Sequence, residues 1–115
     1  MAATILIVDD EEFIVDLLAT LLEDEGYRVL RAFNGIEALR HLERERPALL
    51  LTDNMMPQMS GLELVHHLHA NPRLAVPVIM MSAVALIPPP PIVFVRKPFD
   101  LDGLLATIQA QLAGG

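Results

Sequence analysis

Short apolar runs alternate along the chain with segments in which apolar residues recur every three or four positions. The runs have the length of strands and are nearly continuous in apolar residues, as is typical of parallel strands buried on both faces. The segments between them have the spacing of amphipathic helices. This alternation predicts an α/β fold with a parallel sheet. We predict strands at 4–8, 27–32, 48–52, 76–81 and 92–95, and helices at 12–25, 36–45, 61–70 and from residue 100 onward.

Residues at the ends of the helices support these boundaries. Gly26 has the position of a C-terminal cap of the first helix, and Asp100 has that of an N-cap of the last. In the third helix we expect Leu62, Val65 and Leu68 to face the core.

Composition narrows the class of protein. The 115 residues predict a single domain, 1–115, and the net charge of −7 argues against a nucleic-acid partner. The chain has no cysteine for a thiolate site, and its N-terminus lacks the features of a signal peptide. Residues 74–95 carry no charge, but five prolines argue against a membrane helix. We therefore expect a cytoplasmic protein without a membrane or nucleic-acid partner.

Polar residues follow the predicted strands at their carboxyl ends. The first strand runs into Asp9 and Asp10, the third ends at Asp53, the fourth ends at Ser82, and Lys97 follows the fifth. Because the carboxyl ends of parallel strands meet at one edge of the sheet, these side chains should converge. Clustered carboxylates repel one another unless a cation joins them, and their oxygens suit Mg²⁺. An aspartate beside such a metal can attack phosphorus and form an acyl phosphate.

Taken singly, these residues have simpler explanations. Asp10, Glu11 and Glu12 could be the acidic first turn of a helix, which the helix dipole favours. Ser82 and Lys97 could be structural or surface residues. Their combination with Asp53 at one sheet edge favours a functional site.

Four ordered motifs resemble those of receiver domains of the two-component response-regulator family. Each falls at the end of a predicted strand, and together they cover nearly the whole chain. The resemblance implies a flavodoxin-like open sheet of five parallel strands in the order 2-1-3-4-5, with helices on both faces. The motifs are ILIVDDE at 5–11, LTDNMMPQMSG at 51–61, MSA at 81–83 and KPF at 97–99.

The resemblance also implies a role for each matching residue. Asp53 would accept a phosphoryl group from a phosphohistidine on a sensor histidine kinase or a phosphotransfer protein. Asp9, Asp10, Asp53 and the backbone carbonyl of Met55 would bind Mg²⁺. Such a domain is not an enzyme in the usual sense, since it promotes only its own phosphorylation and dephosphorylation.

Further positions would control the response to phosphorylation. Ser82 would bond a phosphoryl oxygen, Lys97 would pair first with the phosphoacceptor and then with phosphate, and Phe94 would turn inward on activation. Met55 and Val84 lie two residues beyond the phosphoacceptor and Ser82, where they flank the site. Both are apolar and neither can orient an attacking water, so we predict slow self-dephosphorylation.

The segment between the fourth and fifth strands departs from the family pattern, which has a helix there. Only residues 83–91 intervene, and 88–91 are consecutive prolines. A helical crossover needs about a dozen residues, so we predict that the fourth helix is missing and replaced by a proline-rich crossover. The apolar surface left near 92–95 would favour a homodimer or an unknown downstream protein. Alternatively, Leu86, Ile87 and the prolines simply cover the sheet.

Three functions are compatible with these features. The best supported is a phosphorylation-dependent signalling switch that acts through protein contacts. The alternative is a constitutive protein-binding module of the same fold, uncoupled from phosphorylation by loss of the helix. A phosphohydrolase needs a general acid where Met55 stands, and is the least supported.

Overall fold

One sheet of five parallel strands organises the chain, in the order β2-β1-β3-β4-β5. The computed structural model describes residues 2–85, 87–88 and 91–114. This strand order confirms the predicted fold class. The strands are β1 (Thr4–Val8), β2 (Arg28–Ala32), β3 (Leu49–Asp53), β4 (Val78–Ser82) and β5 (Val93–Arg96). The helices are α1 (Glu12–Asp24), α2 (Gly35–Arg44), α3 (Gly61–Ala70) and α4 (Leu101–Gly114), with a 3₁₀ turn at Pro72–Leu74.

The alternation of side chains along each strand divides the core into two layers. Ile5 and Ile7 of β1 pack on the face covered by α1 and α4, whereas Leu6 and Val8 pack on the face covered by α2 and α3. All four side chains are fully buried. Burial on both faces explains why this strand reads as a continuous apolar run.

Side-chain caps fix where the helices begin. The Asp100 carboxylate accepts the Gly103 amide at 3.0 Å, which confirms the predicted N-cap of α4. Ser60 and Glu63 form a capping box at the start of α3, each side chain accepting the other residue's amide at 3.1 Å. This box fixes the loop that leads from β3 into α3.

Two details of the sequence prediction are wrong. Strand β4 begins two residues later than predicted, because the 3₁₀ turn and Pro77 precede it and strand pairing starts at Val78. The buried positions of α3 are Gly61, Leu64, Val65 and Leu68, whereas Leu62 is exposed. Their spacing defines a helix face from which Leu62 points away.

The crossover between β4 and β5 contains no helix in its described residues, 83–85, 87–88 and 91, as predicted. Ile87 is 98% exposed and therefore does not cover the sheet, whereas Pro88 is buried. Leu86, Pro89 and Pro90, which the sequence analysis also considered as cover, lie outside the described residues.

Candidate functional site

The predicted polar residues come together at the carboxyl edge of the sheet. Asp9 and Asp10 follow β1, Asp53 is the last residue of β3, Ser82 is the last residue of β4, and Lys97 follows β5. Asp9, Asp53 and Ser82 are buried, and Asp10 is exposed. The site therefore has a buried floor and an open side.

Lys97 joins two of the carboxylates. Its Nζ lies 2.9 Å from Asp9 Oδ2 and 3.1 Å from Asp53 Oδ1. The expected pairing of Lys97 with Asp53 is confirmed, and Asp9 is an additional partner. The other oxygen of Asp9 accepts the Glu11 amide at 3.0 Å, so the start of α1 also holds this carboxylate.

Three carboxylates form an oxygen cluster of the size that a small cation needs. One oxygen each from Asp9, Asp10 and Asp53 lie within 4.8 Å of one another. Hard divalent cations such as Mg²⁺ prefer oxygen ligands and keep several waters, for which the exposed side at Asp10 leaves access. The donor set therefore fits the predicted metal, while the contribution of the Met55 carbonyl stays a prediction.

Burial and the charge of Asp9 act against the charge of Lys97 on the pKa of Asp53. Burial raises the pKa of its carboxyl group, Asp9 raises it further, and the Lys97 ammonium lowers it, with a net increase. Burial likewise lowers the pKa of Lys97, but its contacts with Asp9 and Asp53 outweigh that effect and raise the pKa. Lys97 is thus held in its charged form between the two carboxylates.

The backbone around Asp53 is fixed by residues that the sequence analysis did not single out. Asn54 is buried. Its backbone N–H donates to the Met81 carbonyl at 3.0 Å, and its side-chain Oδ1 accepts the backbone N–H of Leu62 at 3.0 Å. Gly61 packs so closely that a methyl group on its Cα would lie 2.5 Å from the Asp53 carbonyl oxygen. The sequence does contain a signal for these roles: Asn54 is a polar residue directly after the buried strand β3, and Gly61 is a glycine at the start of α3.

Ser82 and the flanking residues lie where the motifs predict. Ser82 Oγ accepts the Val84 amide at 3.1 Å, and the Ser82 carbonyl accepts the Lys97 amide at 2.8 Å. Met55 and Val84 are both exposed, at 61% and 57%. Phe94 is half-buried and pairs with Met80 across β4 and β5. Its inward turn on activation stays a prediction.

Comparison with known proteins identifies the family. The sequence pattern of the response regulator receiver domain matches residues 5–90, most of the chain. The chain belongs to the response regulator receiver domain family. Receiver domains are phosphoaccepting signalling modules of two-component systems, and the acidic pocket of Asp9, Asp10 and Asp53 suits Mg²⁺ and a phosphorylated aspartate.

Solved receiver domains share this fold over nearly the full chain. A CheY-like receiver domain protein from Methanospirillum hungatei is 30% identical with a TM-score of 0.88, covering 99% of this chain and 96% of that one. The response regulator TrrA from Thermotoga maritima, solved in complex with Mg²⁺-BeF, is 30% identical with a TM-score of 0.83, covering 96% and 99%.

A curated relative shows how much of a longer regulator this receiver corresponds to. The alkaline phosphatase synthesis transcriptional regulatory protein PhoP of Bacillus subtilis is 43% identical over 83 residues. That match covers 72% of this chain and 34% of PhoP, so the aligned part spans about a third of that relative. Among the described helices, none is both long and apolar enough to span a bilayer.

Proposed function

We propose that this receiver is a phosphorylation-dependent signalling switch in which Asp53 is the phosphoacceptor. The observation that carries the proposal is the position of Lys97 Nζ, 2.9 Å from Asp9 and 3.1 Å from Asp53. These two carboxylates and that of Asp10 have oxygens within 4.8 Å of one another. A nucleophile, a cation for the phosphoryl oxygens and an oxygen cluster for a metal are thereby joined in one site.

In the proposed reaction, an Asp53 carboxylate oxygen attacks the phosphorus of a phosphohistidine on a sensor kinase or phosphotransfer protein. The new O–P bond forms as the N–P bond breaks, and the imidazole keeps the bonding electrons. Asp53 reacts in its ionised form, which the Lys97 ammonium favours. After transfer, Lys97 pairs with the phosphoryl group.

Asp9, Asp10 and Asp53 would hold Mg²⁺, with the Met55 carbonyl as a further ligand. The metal would supply positive charge for the equatorial oxygens of the transferring group. Two facts support this assignment: the mutual distances of the three carboxylates in this chain and the Mg²⁺-BeF complex of the related TrrA.

Ser82 would transmit the change to the rest of the domain. Its Oγ accepts the Val84 amide, so its own proton is available to a phosphoryl oxygen. Donation to phosphate would pull the start of the crossover toward Asp53. Phe94, which is half-buried on β5, would then turn inward and change the surface offered to a downstream protein or to a second copy of the domain.

The proposal is tested by phosphorylation with acetyl phosphate and Mg²⁺, followed by intact mass measurement. Wild type and the control Asp16→Ala, which removes an exposed carboxylate of α1, should each gain one phosphoryl group. Asp53→Ala should gain none. Size-exclusion chromatography of the same samples tests whether phosphorylation changes the assembly state.

Each outcome distinguishes between functions. A phosphoryl adduct that depends on Asp53 supports the switch. A change in assembly state on phosphorylation would mean that the switch acts through self-association. Absence of an adduct from wild type under several donors would contradict the proposal and favour the constitutive binding module. An equal adduct on Asp53→Ala would place the phosphoacceptor elsewhere.

A further inference from the structure

A second concave surface lies at the opposite edge of the sheet from Asp53. This groove, of about 630 Å³, is at the amino ends of β4 and β5 and is bounded by the end of α3. Its floor is mainly apolar, and among the described lining residues only His69 and Gln111 are polar. Leu68, Val76, Val78 and Ile92 contribute apolar side chains.

The topology explains why the groove is open. Parallel sheets are normally covered by helices on both faces, and α1, α2 and α3 form the first three crossovers of this sheet. The described part of the fourth crossover has no helix. The groove beside α3 therefore lies on the face of the sheet that α2 and α3 cover elsewhere, where a helix in this crossover would pack.

The described residues that line the groove include no acidic side chain, and two arginines lie beside it. All 15 acidic residues lie outside residues 64–99, the segment that contains the described lining residues other than Gln111. Arg73 lies in the turn between the lining residues Pro72 and Ala75, and the Arg46 guanidinium donates to its carbonyl. Within the described residues, neither arginine forms an ion pair.

We propose that this groove binds an acidic amphipathic helix of a partner protein. The apolar face of the helix would occupy the floor formed by Leu68, Val76 and Ile92. Its carboxylates would lie at the rim beside Arg46 and Arg73. Apolar contacts would supply affinity and the charges would select the partner.

The same charge distribution disfavours a second copy of the domain as the occupant. A two-fold dimer through this groove would place two copies of the same basic rim in one interface. Like charges in an interface oppose association, and the surrounding segment has no carboxylate to offset them. The proposal is also independent of phosphorylation at Asp53, which lies at the other edge.

Two synthetic helical peptides test the proposal against the ¹⁵N-labelled full chain. Both carry leucines at the i, i+3, i+4 and i+7 positions, but one has glutamates on its polar face and the other lysines. We expect saturable shifts of groove amides with the glutamate peptide and at least about tenfold weaker binding of the lysine peptide. Arg73→Glu should weaken binding of the glutamate peptide about fivefold. Arg40→Glu, on the exposed face of α2, should leave it unchanged.

Several outcomes would overturn the proposal. These are no saturable shift up to about 1 mM glutamate peptide, equal binding of both peptides, or equal effects of Arg73→Glu and Arg40→Glu. Dimerisation that Val76→Asp abolishes would assign the groove to a second copy instead. Phosphorylation of Asp53 is measured in each variant, so a disrupted fold or a failed phosphoacceptor assignment is recognised separately.

Discussion

At the residue scale, Asp53, the proposed phosphoacceptor, carries a cost in stability. It is 5% exposed and faces Asp9, and both its burial and that neighbour disfavour its charge, with Lys97 as partial compensation. A carboxyl group whose pKa is raised by folding stabilises the protein below its unfolded pKa of about 4. That contribution is lost as the pH rises through the pKa that the group has in the folded protein. At neutral pH the ionised side chain is therefore unfavourable in the folded state.

Asp53→Asn should consequently stabilise the metal-free protein at pH 7. The expected gain is about 1 kcal/mol, or roughly 4 °C in Tm, because the amide removes a buried charge while Lys97 keeps Asp9 as its partner. The gain should shrink as the pH falls toward about 4. Thermal unfolding in EDTA between these pH values measures it. Glu43→Gln, an exposed change on α2, serves as the control, and an equal effect of the two substitutions would refute the argument.

Met55 should set the lifetime of the phosphorylated state. The side chain is 61% exposed beside the site and has no group that can orient a water molecule. We expect Met55→Glu to speed loss of phosphate by at least about tenfold, since a carboxylate there can act as a general base. Loss of the adduct with time is followed by intact mass after removal of the donor. Met55→Leu is the matched apolar control, and equal rates in the two variants would contradict the role.

At the scale of elements, strand ends were easier to predict than loop geometry. Continuous apolar runs such as β1 and β3 indicate strands that are buried on both faces. The polar residues that follow them were therefore expected to meet at one edge of a parallel sheet. The ion pair of Lys97 with Asp53 was expected from the family motif, whereas the pair with Asp9 was not. The crossover between β4 and β5 was also predictable, since its length leaves too little chain for a helix.

What the sequence did not reveal depends on distances between segments that are not neighbours. The role of Asn54 as acceptor for the Leu62 amide exists only once the β3–α3 loop has closed. Helical spacing alone could not predict that Phe13 is 74% exposed, because α1 carries apolar residues on more than one face. The groove beside α3 requires the relative positions of three elements.

The β3–α3 loop provides a test at this scale. A methyl group on Gly61 would lie 2.5 Å from the Asp53 carbonyl oxygen and 2.9 Å from Asn54 Cα, and backbone atoms cannot move as readily as a side chain end. Gly61→Ala should therefore destabilise the protein by about 2 kcal/mol and slow phosphorylation by displacing Asp53. Chemical denaturation and acetyl phosphate kinetics report the two effects.

Gly114→Ala is the matched control for this test, because nothing lies within 4 Å of its added methyl group. It should change the free energy of unfolding by less than about 0.5 kcal/mol. If the two alanine variants have the same free energy of unfolding, the close packing of Gly61 does not constrain the β3–α3 loop as argued.

At the scale of the whole molecule, the two candidate sites lie at opposite edges of the sheet and differ in their charged residues. The site at the carboxyl edge brings Asp9, Asp10 and Asp53 close together beside one lysine, while the groove at the other edge has no carboxylate among its described lining residues. We therefore expect this chain, with its net charge of −7, to bind a cation at one edge and, as proposed, an acidic partner at the other. Ligands of opposite charge should bind the two edges without competing for the same residues.

Magnesium binding should be visible in the stability of the whole domain. A ligand that binds only the folded state, at about ten times its dissociation constant, stabilises it by about 1.4 kcal/mol, or roughly 5 °C in Tm here. Asp10→Asn removes a carboxylate from the cluster and leaves both ion pairs of Lys97 in place, so it should abolish most of this increase without unfolding the protein. Thermal unfolding with and without MgCl₂, at constant ionic strength, measures the difference. An equal increase in Glu43→Gln and Asp10→Asn would mean that the cation acts on net charge rather than at the three aspartates.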